Sequence, residues 1–150
     1  MINSFSGQYA FLSNFYQCEV GFDGYVYRSV EHAFQAAKTI NEIDRKTIRD
    51  APTCREAKTL GQKVNLRPDW ELRKYGIMGE LIDSKFNNHV LANLLVSTGP
   101  HLLVEGNTWH DQFWGSCHCD KHASITGYNA LGILLMHRRL ETGTKWPGSI

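Results

Sequence analysis

The sequence predicts an α+β fold, mainly α-helical, built as a single compact domain over residues 1–150 with a small β component. Three observations carry that expectation. Apolar residues recur at helical three- and four-residue spacing through most of the stretch from 30 to 97 and again near 130–140. One Asp-Gly turn signal sits between alternating residues at 17–28, which is the pattern of a hairpin. A hydrophobic share of 42% with 21% charged residues is that of a chain able to bury a core, and 150 residues suit one domain.

The first extended element is QCEVGFDGYVYR, in which Asp23-Gly24 turns the chain between Val20 and the alternating Tyr25 and Tyr27. Ser29 then offers an N-cap, with His32 at the position a capping box gives to Glu. Val30, Ala33, Phe34 and Ala37 follow at i, i+3, i+4 and i+7, one buried helix face. A short charged helix is expected at 42–50. Pro52-Thr53 opens another with Ala57, Leu60, Gly61 and Val64 inward. Pro68-Asp69 starts a long one whose apolar positions are Trp70, Ile77, Met78, Leu81, Ile82 and Phe86. Residues 88–97 read as helix, Gly99-Pro100 breaks it, and Leu102-Leu103-Val104 reads as a short buried strand. A last helix is expected over about Ala130–Leu140.

Composition narrows the function. The formal net charge is +1, yet residues 38–74 hold ten Lys/Arg against six Asp/Glu, so the basic middle suits phosphate while the whole lacks the broad basic face of a non-specific DNA binder. No apolar stretch approaches the roughly 20 residues of a membrane span, and the start MINSFSGQYAFLSNF lacks a signal peptide's basic end and apolar run. The expectation is a cytoplasmic protein with no membrane partner. Four cysteines are too few for a disulfide scaffold. There is no G-x-G-x-x-G after a strand, no Walker A loop, no G-x-S-x-G elbow and no His-Glu-x-x-His helix, which argues against a Rossmann dehydrogenase, a P-loop NTPase, an α/β-hydrolase and a zincin.

Four stretches carry groups capable of chemistry. In SVEHAFQAAK, Glu31, Gln35 and Lys38 fall at i, i+4 and i+7, one polar stripe beside the apolar face. Glu31 and Lys38 are two turns apart, about 10 Å along the axis, a span that suits a ligand held between them better than a salt bridge. The plain alternative is a solvated surface stripe, and spacing alone favours it. In EGNTWHDQFWG, residues 105–115, Trp109 and Trp114 offer rings for stacking, and Asn107 and Asp111 offer groups for sugar hydroxyls. The alternative is a core loop with the tryptophans as filler. In FLSNFYQC, Ser13 and Asn14 lie inside an aromatic run and either contact a ligand or cap a turn. In CHCDKH, Cys117, His118, Cys119 and His122 have metal-ligand chemistry, but Cys-x-Cys without a matching second pair is not zinc-site spacing, and no metal or other cofactor is expected.

Read in order, FLSNFY (11–16), DGYVYRSVEHAFQAAK (23–38), AKTLGQKVNLRPDWELRKYGIM (57–78), KF (85–86), LLVSTGPHLLVEGNTWHDQFWG (94–115) and GYNALGILLMHRR (127–139) strongly resemble the NADAR/YbiA-like family. The resemblance implies a compact, mostly helical fold and hydrolysis of N-glycosidic bonds of ribose compounds, without a metal. One branch is similar to ADP-ribosyl hydrolases that remove ADP-ribose from guanine in DNA. The YbiA-like branch is similar to N-glycosidases that clear ribosylamine phosphate intermediates of riboflavin biosynthesis. The substrate implied is therefore a ribose-phosphate or ADP-ribose compound, with ADP-ribosylated nucleic acid as a partner in the first case.

By position, the resemblance makes Glu31, Lys38 and Asp111 the catalytic candidates. It makes Ser13, Asn14, Phe15, Trp109, Trp114 and Asn129 substrate-binding candidates, to which Gln35 of the stripe, Asn107 of the loop and Trp70 are added. Arg45, Arg49, Lys58, Lys63, Arg67 and Arg73 form a pool of phosphate partners. His110 departs from the family pattern, in which a small residue is more usual, and the CHCDKH insert departs as well.

Breaking an N-glycosidic bond develops positive charge at the anomeric carbon, so the chemistry requires a carboxylate near that carbon and a proton for the leaving nitrogen. Glu31 suits proton transfer or water activation, and Asp111 suits ribose binding and charge stabilisation. A desolvated Lys38 is a nucleophile able to form a Schiff base with the ring-opened sugar, the route the resemblance favours for the ADP-ribosyl hydrolase branch. Two other readings compete: a non-catalytic ADP-ribose or NAD-binding module, and a purely structural domain. The stripe separates them, because a binder has little use for a carboxylate there and a structural domain leaves it exposed.

Overall fold

A computed structural model describes residues 1–144, and their contacts divide into two compact units. One comprises residues 14–85, and the other residues 1–13 together with those from 86 onward. The architecture is α+β and mainly helical, as the sequence predicts.

The 14–85 unit opens with the expected hairpin, β1 (Val20–Phe22) paired antiparallel with β2 (Tyr25–Tyr27). Asp23 and Gly24 both take positive φ, 48° and 83°, which is what a two-residue turn matching the strand twist demands and why Asp-Gly sits there. Val20 and Phe22 point inward, whereas Tyr25 and Val26 are exposed. Helix α1 (Val30–Ala37) begins where Ser29 Oγ accepts from His32 N–H, and α2 (Glu42–Arg49) where Asn41 Oδ1 accepts from Ile43 and Asp44 N–H. Helix α3 (Cys54–Gly61) is capped by Thr53, and α4 (Trp70–Lys85) closes the unit.

The hairpin and helices α2, α3 and α4 all pack on α1, which leaves every α1 residue from Val30 to Ala37 buried. That central position reverses the solvated-stripe reading of Glu31 and Gln35. Arg45 braces the arrangement: it is buried, donates to Thr39 O at 2.7 Å and to Asp23 Oδ2 at 2.8 Å, and so ties α2 to the hairpin turn.

The other unit contains a 3-10 helix at Gly7–Leu12, α5 (His89–Ser97), β3 (Gly106–Asn107), β4 (Ser116–Cys117) and α6 (Ala130–Thr144). Strands β3 and β4 pair in parallel. The strand expected at Leu102–Val104 is reduced to a single bridge, Ile2 to Leu103. Leu103 is buried while Leu102 stays exposed, so a three-residue apolar run supplies one inward side chain and no ladder. Helix α6 continues past the expected end at Leu140, where Thr142 Oγ1 donates to Arg138 O at 2.9 Å.

Candidate active site

Two groups of candidate residues are present, one in each unit. In the 14–85 unit the group is built on α1. Glu31 is 7% exposed and Gln35 4%, and Gln35 Nε2 donates to Glu31 Oε1 at 2.8 Å. The i, i+4 spacing that places both on one face makes this bond possible. Burial pushes the Glu31 carboxyl above its ordinary range, and the Gln35 hydrogen bond and the positive charges of Lys58 and Lys38 only partly offset that. Lys38, half-buried at the end of α1, moves the opposite way. Desolvation lowers its ammonium pKa, with Glu31 opposing and Lys58 adding to the shift. Burial thus favours the protonated form of the acid and the neutral form of the amine.

Neighbouring chain fixes this group. Glu31 N–H donates to Asn14 O at 3.0 Å, which anchors Asn14 to the start of α1. Arg67 N–H donates to Lys38 O at 2.7 Å. Gly61 of α3 lies so close to Gln35 that a Cβ there would overlap its side chain, so the glycine is required by close helix approach. His32, buried beside Glu31, bonds Ser29 Oγ through Nδ1 at 2.7 Å and Ala51 O through Nε2 at 2.9 Å. A carbonyl only accepts, so the proton sits on Nε2 and His32 is committed to structure. Asn14 Oδ1 and Gln35 Oε1 are buried acceptors without a hydrogen-bond donor from the protein. Such atoms are expensive to bury unless something else donates to them.

Lys58, one of several expected phosphate partners, acts electrostatically on both Glu31 and Lys38. Other members of that pool are engaged elsewhere. Arg45 pairs with Asp23 and Arg67 with Asp69, while Arg49 lies over the Tyr25 ring at 4.1 Å. Lys85 was missed as a candidate altogether. It is fully buried, its Nζ is 5.6 Å from the Tyr16 ring centre, and desolvation lowers its pKa to about 8. The signal was its place in the Lys-Phe motif, but nothing in sequence distinguishes a buried lysine from a solvated one at a helix end. Trp70 is buried with its ring 5.1 Å from Phe34, and Phe15 is half exposed.

In the other unit, the loop following β3 carries Trp109, Asp111 and Trp114. Asp111 Oδ1 accepts from Phe113 N–H at 3.1 Å and Trp114 N–H at 2.9 Å, which holds the carboxylate in a tight turn. Asn107 staples the same loop: its Nδ2 donates to Asp111 O at 2.8 Å and its Oδ1 accepts from Asp111 N–H at 3.1 Å. Asn129, at φ 55°, does likewise across the unit, accepting from Glu105 N–H and donating to Leu103 O, both at 2.9 Å. Trp109 is 58% exposed and Trp114 half-buried edge-on to Phe113. Ser13, half-buried, ends the 3-10 helix, its N–H donating to Ala10 O at 3.0 Å.

A family model for the NADAR domain matches residues 3–141. The chain belongs to the NADAR family. Among NADAR relatives, N-glycosidase YbiA of Escherichia coli (strain K12) is 36% identical over 139 residues, covering 91% of this chain and 83% of its own. N-glycosidase Npun_R5314 of Nostoc punctiforme is 37% identical over 139 residues, covering 89% and 85%. The NMR structure of E. coli YbiA superposes with a TM-score of 0.80 at 32% identity, covering 97% of this NADAR chain and 86% of that one. Both the fold expected from sequence and the family resemblance are borne out.

Proposed function

We propose that the chain is an N-glycosidase that hydrolyses the bond between ribose C1 and a nitrogen in a ribose-phosphate compound, with Glu31 transferring the proton and Lys38 acting as nucleophile. The N-glycosidase class rests on the family and its curated relatives. The residue assignment rests chiefly on one observation: Glu31 is a buried acid with a raised pKa, bonded to Gln35 and electrostatically coupled to two lysines, one of which has a lowered pKa.

In this reading the sugar ring opens and C1 becomes an electrophilic imine carbon. The Lys38 amine adds to C1, protonated Glu31 gives its proton to the leaving nitrogen, and the C1–N bond to the base breaks as the Lys38 imine forms. Water adds to that imine, the sugar aldehyde is released, and Lys38 and Glu31 return to their starting protonation. Lys58 supplies positive charge for the phosphate. The buried acceptors Asn14 Oδ1 and Gln35 Oε1 are suited to ribose hydroxyls, which can donate to them. On the resemblance alone, Trp109 and Trp114 are assigned stacking and Asp111 sugar contact. Ser13 and Phe15 serve as flanking contacts. Asn107 and Asn129 act by holding their loops, and Trp70 acts by packing against Phe34.

Two substrates fit this chemistry, ADP-ribosylated guanine in DNA and the aminouracil ribosylamine phosphate of riboflavin biosynthesis. The YbiA relatives add weight to the second, since the resemblance ties that branch to such intermediates. Incubating purified protein with each substrate separately is expected to release the free sugar phosphate from one of them, and release from neither removes the glycosidase assignment. Borohydride trapping followed by mass spectrometry is expected to find an adduct on Lys38. Full activity in Lys38→Ala would eliminate the covalent route.

A further inference from the structure

His110 departs from expectation both in sequence and in backbone. It takes φ 72°, a left-handed conformation disfavoured for a residue with a Cβ. Something must hold it there, and the side chains around it are chemically specific. His110, Cys117, Cys119 and His122 place their ligand atoms all within 4.8 Å of one another. Cys119 Sγ is 3.3 Å from Nδ1 of His110 and 3.3 Å from Nδ1 of His122. The two Nδ1 atoms are 3.4 Å apart, and Cys117 Sγ is 4.0 Å from His110 Nδ1.

A tetrahedral zinc ion has bonds of about 2.3 Å to sulfur and about 2.0–2.1 Å to nitrogen, which puts its ligand atoms about 3.3–3.8 Å apart. Three of these separations fall at or near that range, the Cys117–His110 separation exceeds it by a few tenths of an ångström, and every pair lies within 4.8 Å, so closing the site requires Cys117 Sγ to move inward. Two thiols and two imidazoles are also the donor set that zinc takes in closed structural sites.

The fold explains how distant residues meet. Parallel pairing of Gly106 with Ser116 and of Asn107 with Cys117 brings the 116–119 segment alongside the start of the Trp109 loop. His118 N–H donates to Asn107 O at 2.9 Å, which directs the chain onward, and a turn in which His122 N–H donates to Cys119 O at 3.0 Å brings His122 back. Of the four residues singled out from CHCDKH, His118 is not in the cluster, and His110 from the preceding loop takes its place. Cys-x-Cys without a matching second pair does not read as a zinc site, because the other two members of the cluster are single histidines on either side of the cysteines, His110 before and His122 after.

We propose that His110, Cys117, Cys119 and His122 form a structural site for a divalent zinc ion that clamps the Trp109–Asp111 loop to the 117–122 segment. Binding replaces two thiol protons with one Zn²⁺, so the closed site is electrically neutral and two protons are released per ion. With all four positions filled by protein, the ion has no open position for substrate and acts on the loop's shape rather than in the reaction.

The test uses untagged, reduced full-length protein, stripped with a chelator and titrated with Co²⁺ and then Zn²⁺. The expected result is one equivalent bound, tetrahedral cobalt d–d bands with thiolate charge transfer, two protons released, and displacement of cobalt by zinc. Cys119→Ser and His110→Gly are each expected to weaken binding by more than about 100-fold, beyond the usual cost of losing an outer-shell partner. His118→Ala is expected to leave binding unchanged. His110→Gly suits the φ of 72°, so circular dichroism should find it folded, and loss of metal in a folded variant supports the site. Failure to bind a stoichiometric ion, a six-coordinate cobalt spectrum without charge transfer, or undiminished binding in both ligand variants would each overturn it.

Discussion

A carboxyl group that loses its water and gains a single amide donor holds its proton to higher pH, and Glu31 is in that position. Glu31→Gln keeps the shape and the bond to Gln35 but cannot deliver a proton. It is expected to lower kcat by roughly 10²–10⁴-fold, measured by product release under saturating substrate. The same change is expected to raise the melting temperature at a pH high enough to ionise Glu31, because it removes the cost of charging a buried carboxyl. A variant that loses activity while gaining stability separates a chemical role from a structural one. Trp109 presents the opposite case: its ring is 58% exposed, so Trp109→Ala is expected to alter unfolding free energy by no more than about 0.5 kcal/mol. If the ring stacks on substrate, KM rises in that variant; an unchanged KM would remove Trp109 from the binding assignment.

At the scale of elements, α1 carries Glu31 and Gln35, and the hairpin, α2, α3 and α4 packed on it leave all of its residues buried. Close packing of α3 depends on Gly61, where a methyl group would meet the Gln35 side chain. Gly61→Ala is therefore expected to destabilise the fold by about 1–3 kcal/mol in denaturant unfolding and to reduce activity by displacing Gln35 from Glu31. Ser29 connects the local and tertiary levels. It caps α1 through His32 N–H and also bonds the His32 ring, so Ser29→Ala should cost at least the roughly 1 kcal/mol of a lost N-cap.

For the molecule as a whole, stability should vary with pH in a direction that buried charges set. Glu31 has a folded pKa above its unfolded value, so its contribution to stability is fully present below the ordinary glutamate range and is lost as pH rises through the folded value. Lys85 has a folded pKa lowered to about 8, so the native state binds fewer protons than the unfolded chain between about pH 8 and the ordinary lysine range, and stability recovers across that interval. Urea unfolding across pH is expected to show the acidic-side decline disappear in Glu31→Gln and the alkaline recovery disappear in Lys85→Met. Unaltered profiles in both variants would mean that neither group is desolvated as its surroundings imply.

Much of the local structure was legible in sequence because it depends on neighbours along the chain. Asp23-Gly24 specifies a turn through its own torsions, Ser29, Asn41 and Thr53 cap helices two or three residues away, and periodic apolar residues mark the faces of α1 and α4. The ordered motifs likewise carry the resemblance to the NADAR family without reference to any contact. What the sequence by itself could not determine was which polar residues lose water. Glu31, Gln35 and Lys85 sit at spacings equally suited to a solvated face, and desolvation depends on elements distant in sequence that pack over them. The convergence of His110 on Cys117, Cys119 and His122 has the same cause. Spacing along the chain limits separation only loosely, and tertiary structure alone decided that Glu31 and Gln35 of the stripe would be buried and that His110 would meet Cys117, Cys119 and His122.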